Sequence, residues 1–252
     1  MYLIVQVILL FVWAVSVHAS NDPKQIFEKA NQYYLKNDLD NAIQQYEELV
    51  KGKIENVEIY YNLGNAYYKK GDIASAILNY ERARKINSKD EDIAFNLKMA
   101  NLKVMDKMEP VPPLFYEQWW NQTIHFFITD KWAKTGVVLL WVVFVFSILF
   151  LLSKNAFVKR TTFYVAFVLF LFSMTSFFFA NYQYNENQSS SEAIVFSQSV
   201  YVKSSPTEKS TDLFILHEGT KVQLLDKVGE WKKIRLLNGN IGWLKENAIV
   251  AI

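Results

Sequence analysis

Residues 60–83 read YYNLGNAYYKKGDIASAILNYERA. Apolar and small residues recur there at helical spacing on both sides of Lys70-Gly71-Asp72, a triplet rich in helix breakers. The pattern returns 34 residues upstream, where Ala30 answers Gly64, Tyr33 answers Tyr67, Ala42 answers Ala76 and Tyr46 answers Tyr80. Lys36-Asn37-Asp38 is the matching turn. The spacing has a packing reason. A small residue on the first helix of each pair, Ala30 or Gly64, lets the second helix approach closely. Ala42 or Ala76 is its small counterpart, and the tyrosines fill the space between helices and between repeats.

A helix–turn–helix unit of 34 residues with these positions resembles the TPR repeat. In the second copy Tyr60, Leu63, Gly64, Tyr67, Ala76, Tyr80 and Ala83 all match that family. The first copy departs at Lys29 and Leu49, and Ile54 and Ser88 stand where the family has Pro. A third copy begins at Glu91 and stops near Met105. Ile93, Ala94 and Leu97 keep the helix spacing while Lys98 and Asn101 are polar, as suits a capping helix. The array is thus expected over 23–106. Two repeats and a cap are near the minimum for a stable stack, so either marginal stability or support from a partner or a membrane is expected.

The TPR resemblance implies a groove on the inner face of the array. The groove-facing offsets hold Phe27, Asn31 and Tyr34, then Tyr61, Asn65 and Tyr68, and beyond them Phe95 and Met99. The repeated Asn suits peptide binding, because its amide can donate to and accept from a backbone. The alternative is that the aromatics pack on one another and the asparagines are solvated. Phe27 and Tyr61 occupy a position where a carboxylate clamp would carry cations, so capture of a free C-terminus is not the first expectation.

Outward from the array the chain becomes apolar. Residues 135–152 and 161–180 are uncharged runs close to the roughly 20 residues that cross a hydrocarbon core of about 30 Å. Two such runs in succession argue against buried helices of a soluble domain. The connection between them carries Lys154, Lys159 and Arg160, while Lys131 and Lys134 precede the first run. The excess of positive charge in the short loop puts that loop in the cytoplasm and both flanking domains outside. Neither run contains Asp, Glu, Lys, Arg or His, which argues against transport or proton relay. At the N-terminus, residues 1–19 read as a signal peptide with Val17 and Ala19 before the cut. Met1-Tyr2 lacks Lys or Arg, so an uncleaved anchor is the alternative; both readings export the TPR array. Between array and spans, 107–134 holds the break Met108-Glu109-Pro110-Val111-Pro112-Pro113. Phe115, Tyr116, Trp119, Trp120, Phe126, Phe127 and Trp132 come after it and are expected to form a helix lying at the membrane interface.

After a polar linker expected over 181–192, residues 193–252 alternate short β-like runs with turn signals, among them Glu218-Gly219-Thr220 and Asn238-Gly239. The succession Val200-x-Val202-Lys203-Ser204-x-Pro206, Glu218-Gly219-Thr220-Lys221-Val222, Glu230-Trp231-x-Lys233-Ile234 and Asn238-Gly239-x-x-Gly242-Trp243-Leu244 resembles the bacterial SH3 family. That implies a small barrel that binds peptides or cell-wall peptide stems, or packs on neighbouring domains. Trp231 and Trp243 are expected in core or hairpin-supporting positions.

The expected fold class is therefore a multidomain membrane protein: an all-α TPR repeat array, two transmembrane helices and a small all-β SH3-like barrel. Net charge is only +2, which offers no nucleic-acid footprint. The absence of cysteine excludes disulfides and thiolate chemistry. His18, His125 and His217 have no metal-ligand spacing, and no phosphate loop or nucleophile elbow is present. No cofactor or metal and no enzymatic activity are expected; the reading is a binding scaffold. The order of signal, TPR pair, Pro break, Trp-Trp, two spans and SH3-like tail resembles the BatE family of the aerotolerance (Bat) operons. The resemblance implies an inner (cytoplasmic) membrane location with periplasmic domains. It also implies protein partners that include Bat proteins with von Willebrand A domains and a MoxR-type ATPase, and a role in stress tolerance. An envelope sensor that binds cell-wall peptides through the SH3-like domain is the alternative.

Overall fold

The computed structural model describes residues 22–109, 111–112, 114–189 and 191–252. The expected signal peptide, Pro110 and Pro113 lie outside the described residues. The chain opens with five helices: α1 (Pro23–Leu35), α2 (Leu39–Lys51), α3 (Val57–Lys70), α4 (Ile73–Ile86) and α5 (Glu91–Asn101). Each begins at a side chain able to cap it. Asp22, Asn56 and Asp90 cap α1, α3 and α5, and Asp38 and Asp72 cap α2 and α4, in each case accepting from a backbone N–H of the first turn. The caps keep the repeat of the core, 34 residues apart. The turns inside the pairs also correspond. Gly71, the C-cap of α3, has φ +94°, and Asn37 in the equivalent turn has φ +60°; both residue types tolerate that left-handed geometry.

The close approach expected from the small residues is present. Ala30, Ala42, Ala66 and Ala76 are fully buried. A Cβ on Gly64 would lie 2.7 Å from the Tyr80 ring, so only glycine fits there.

The segment after α5 runs along the C-terminal domain, with Val111 N–H donating to Leu237 O at 3.1 Å. A short helix α6 (Phe115–Ile124) leads into two long antiparallel helices, α7 (Thr129–Leu152) and α8 (Ala156–Ser189). Both are long and apolar enough to cross a membrane. α7, with 24 residues, extends about 36 Å at about 1.5 Å per residue. It begins earlier than the uncharged run 135–152, taking in Asp130, Lys131 and Lys134. α8 starts at Ala156 and runs past 180 through most of the stretch expected as a linker. The extension is held by Gln183, which is buried; its amide donates to Phe127 O at 2.8 Å and Thr129 Oγ1 donates to its Oε1 at 2.8 Å. A polar sequence thus continues the helix because its first turns pack against the α6–α7 corner. Between the long helices Ser173 Oγ donates to Gly136 O at 2.9 Å and Ser176 Oγ to Trp132 O at 3.1 Å.

The C-terminal domain is an antiparallel seven-stranded sheet in the order β3-β2-β6-β5-β4-β1-β7. Its strands are β1 (Glu192–Val195), β2 (Ser199–Lys203), β3 (Asp212–His217), β4 (Lys221–Val228), β5 (Trp231–Arg235), β6 (Ile241–Lys245) and β7 (Ile249–Ala251). Val195, Val202, Leu216, Val222, Ile234 and Leu244 form its core.

The helical array and the sheet are docked on each other. On β1, Ala193 and Val195 point into the sheet's own core, while Ile194 between them packs with Ile77, Leu97, Ala100 and Val104 of the helices. This is the two-residue alternation of a strand used to join two cores. The chain leaves the array at Asp106, traverses the long hairpin, and returns to the same array at β1. Both domains therefore sit at one end of the hairpin.

Candidate functional site

The concave side of the array carries an open groove of about 480 Å³ lined by Tyr34, Asn65, Tyr68, Phe95 and Met99, with Lys69, Tyr80, Asn96 and Lys103. All of these residues come from the helical array and its C-terminal turn, so the docked sheet leaves the groove open. Five of the eight groove positions read from the sequence meet in it. Phe95 is 62% exposed and Met99 38% exposed, apolar side chains offered to solvent beside the Tyr34 and Tyr68 rings.

Phe27, Asn31 and Tyr61 do not line it. Phe27 packs edge-on against Tyr46, centroids 6.0 Å apart, and borders a separate crevice with Ile54 and Ile59. Tyr61 leans on Tyr80 at 6.1 Å, and its hydroxyl accepts from Asn96 Nδ2 at 2.9 Å. The two asparagines are engaged within the protein. Asn31 Oδ1 accepts from Tyr46 OH at 2.5 Å and from Asn62 Nδ2 at 3.2 Å. Asn65 Oδ1 accepts from Tyr80 OH at 2.8 Å and from Asn96 Nδ2 at 2.9 Å. Both sets have the same form, Asn to the Tyr on the second helix and to an Asn on the next repeat. Burial pushes the Tyr46 phenol up to about 12, so it stays a neutral donor. The oxygens expected to meet a peptide backbone are thus used to lock repeat to repeat, an arrangement that is neither pure peptide reader nor solvated surface.

Three residues not singled out from the sequence, Lys69, Asn96 and Lys103, complete the groove. Lys69 Nζ lies 5.2 Å from the centroid of the Tyr34 ring, and Lys103 Nζ lies 4.1 Å from that of Tyr68, both within cation–π range. Lys69 and Lys103 are 34 apart, as are Tyr34 and Tyr68 and Asn62 and Asn96. The period that revealed the repeats also carried these positions.

A second polar assembly joins the array to the sheet. Asp106 Oδ2 accepts from His217 N–H at 2.7 Å and from Thr220 Oγ1 at 2.6 Å, while Asp106 Oδ1 lies 2.7 Å from His217 Nδ1. Partial burial pushes the Asp106 carboxyl up, but the hydrogen bonds from Thr220 and His217 outweigh it and hold it below the usual carboxylate range. Beside it the buried Glu81 accepts from Arg84 at 2.5 Å and from Lys221 at 3.2 Å. Gly219, at φ +85°, tucks against Val104 and Ile77. In the sheet, Trp231 is buried and Trp243 half-buried.

Residues 30–71 match the family model of the TPR repeat and residues 57–90 that of the tetratricopeptide repeat, while residues 198–249 match the bacterial SH3 domain. The array is TPR-like, and the sheet is consistent with an SH3-like domain. Solved structures similar to part of the chain include a tetratricopeptide repeat domain protein from Salinibacter ruber. It is 25% identical over 32% of this chain and 85% of that one, with TM-score 0.28. Another is MamA, 16% identical over 63% of this chain and 96% of that one, with TM-score 0.29. The search of curated proteins returned no match. TPR repeats are interaction modules, and the TPR array and SH3-like domain together point to protein partners.

Proposed function

We propose that the chain is a membrane-anchored scaffold whose TPR groove holds a segment of a protein partner. The observation that carries this reading is the exposure of Phe95 and Met99 beside Tyr34 and Tyr68 in a groove that the docked SH3-like domain leaves uncovered. An apolar, aromatic concavity with polar groups at its wall is the form in which TPR arrays receive extended peptides or helices.

The long hairpin is the anchor in this proposal. Its outward faces are lined by Trp141, Phe144, Phe163 and Phe167, all exposed, as a lipid-facing surface would be. Lys154 in the connecting turn and Lys159 and Arg160 at the start of α8 favour a cytoplasmic turn and a periplasmic TPR–SH3 unit. Helix α6 lies beside the hairpin base, with Trp120 against Phe179 and Tyr182, while Phe115 and Trp119 are exposed, which suits aromatic side chains at a membrane interface. The order of the parts supports a BatE-like role at a bacterial inner membrane. Its partners would then be Bat proteins with von Willebrand A domains and a MoxR-type ATPase.

Site-directed photocrosslinking in native membranes tests the groove. A photoreactive residue replacing Phe95 is expected to trap a discrete protein partner, while one replacing Lys36, at the turn between α1 and α2, traps none. Failure to trap any protein at position 95 would contradict the reading.

A further inference from the structure

The groove is charged on one side only. Elsewhere in the array Lys70 meets Asp40 at 2.6 Å, Lys51 meets Glu47 at 3.4 Å and Arg84 meets Glu81 at 2.5 Å, while Lys29 lies over the Tyr33 ring at 5.8 Å, outside the groove. Among the described residues, neither Lys69 nor Lys103 has a carboxylate within ion-pair distance, and the groove lining contains both lysines and no Asp or Glu. Each ammonium is folded over a groove tyrosine, 5.2 Å and 4.1 Å from the ring centroids. The side chains are thereby drawn over the aromatic wall, which places the two charges at the groove although both residues are solvent-exposed. Repetition at the 34-residue period places one such cation in each of two successive units. A cleft with low-dielectric aromatic walls and charge of one sign concentrates potential for the opposite sign.

Position in the helix gives Lys69 a second role, since a cation in the last turn of α3 suits the helix dipole. Lys103, immediately after the C-cap of α5, is also at the negative end of a helix. The dipoles favour a cation at both places, and the contacts with Tyr34 and Tyr68 turn the two ammonium groups toward the groove.

Resting on the groove-binding reading, we infer that the partner segment is acidic. Its carboxylates meet Lys69 and Lys103, and apolar side chains between them sit on Phe95 and Met99. Sequences with Asp or Glu alternating with Leu or aromatic residues fit this pattern of two cations beside an apolar floor.

Selection of a degenerate displayed-peptide library on the full chain in nanodiscs tests the inference. Wild type is expected to enrich peptides richer in Asp and Glu than the input. The enriched pool should bind the Lys69→Gln/Lys103→Gln chain about ten-fold more weakly, as the loss of two partly exposed ion pairs allows. Unchanged far-ultraviolet circular dichroism serves as the check that the variant is folded. A pool no more acidic than the input, or one that binds the variant equally well, overturns the acidic inference and leaves the groove reading standing. No enrichment over empty nanodiscs would remove the groove reading, and the inference with it.

Discussion

Gly64 shows how closely one residue can set the fit between helices. Its first-repeat counterpart is Ala30, so alanine is acceptable at one site and not at the other. The difference is the Tyr80 ring, which lies 2.7 Å from where a Cβ on Gly64 would stand. Gly64→Ala is expected to destabilise the array by about 1–3 kcal/mol through overpacking, read as a lowered thermal midpoint of the full chain in detergent; an unchanged or raised midpoint would show that the ring moves aside at little cost. The sequence displayed the Gly/Ala alternation directly. It displayed the groove residues less completely. Asn31 and Asn65 were legible as repeated polar positions, but their acceptors are spent on Tyr46 and Tyr80. Local spacing places a side chain on a face without saying which hydrogen bond it makes there. Lys69 and Lys103 carried the repeat signal as well, yet exposed lysines are so common on helices that the period alone does not distinguish them.

At the scale of elements, the caps and turns of the array were readable because they depend on neighbours in sequence. The two long apolar helices are readable from length and polarity. The end of α8 is not. Asn181 to Ser189 is polar and has the composition of a linker, but Gln183 is bound to the α6–α7 corner through backbone carbonyls and Thr129. A tertiary contact keeps helical a stretch that composition alone leaves open. Gln183→Leu, of similar size but without the amide, is expected to deprive the Phe127 carbonyl of this donor and the Thr129 hydroxyl of its acceptor, while the Ile124 carbonyl keeps Trp132 Nε1. The cost should be about 1–3 kcal/mol, with faster hydrogen exchange over 181–189 than in wild type. Unchanged exchange there would show that the helix persists without this contact.

At the scale of the whole molecule, the SH3-like domain supplies what a two-repeat array lacks. Two repeats and a cap predict either marginal stability or support from a partner or a membrane. The array has support within its own chain: the buried face of α4 and α5 is covered by Ile194, Phe196 and Ile252. Nothing in local sequence revealed this, since Asp106 and His217 are separated by 111 residues. The charged form of Asp106 is the one that accepts from His217 and Thr220, and its pKa is depressed in the folded chain. Its contribution to docking is therefore fully present above the ordinary carboxylate pKa of about 3.9 and is lost as pH falls through the lower folded value. Asp106→Asn should lower the thermal midpoint at neutral pH and flatten the acid limb of its pH dependence. An acid limb identical to that of wild type would show that Asp106 does not govern it. Docking also ties topology to fold, because two domains that share a core cannot stand on opposite sides of a bilayer. The chain has no cysteine, so single cysteines introduced at Lys36 and Lys209, both exposed, report sidedness cleanly. In sealed vesicles of one orientation treated with a membrane-impermeant maleimide, both sites should label together or be protected together. Labelling of one site while the other reacts only after detergent would contradict a single docked TPR–SH3 unit on one side of the membrane.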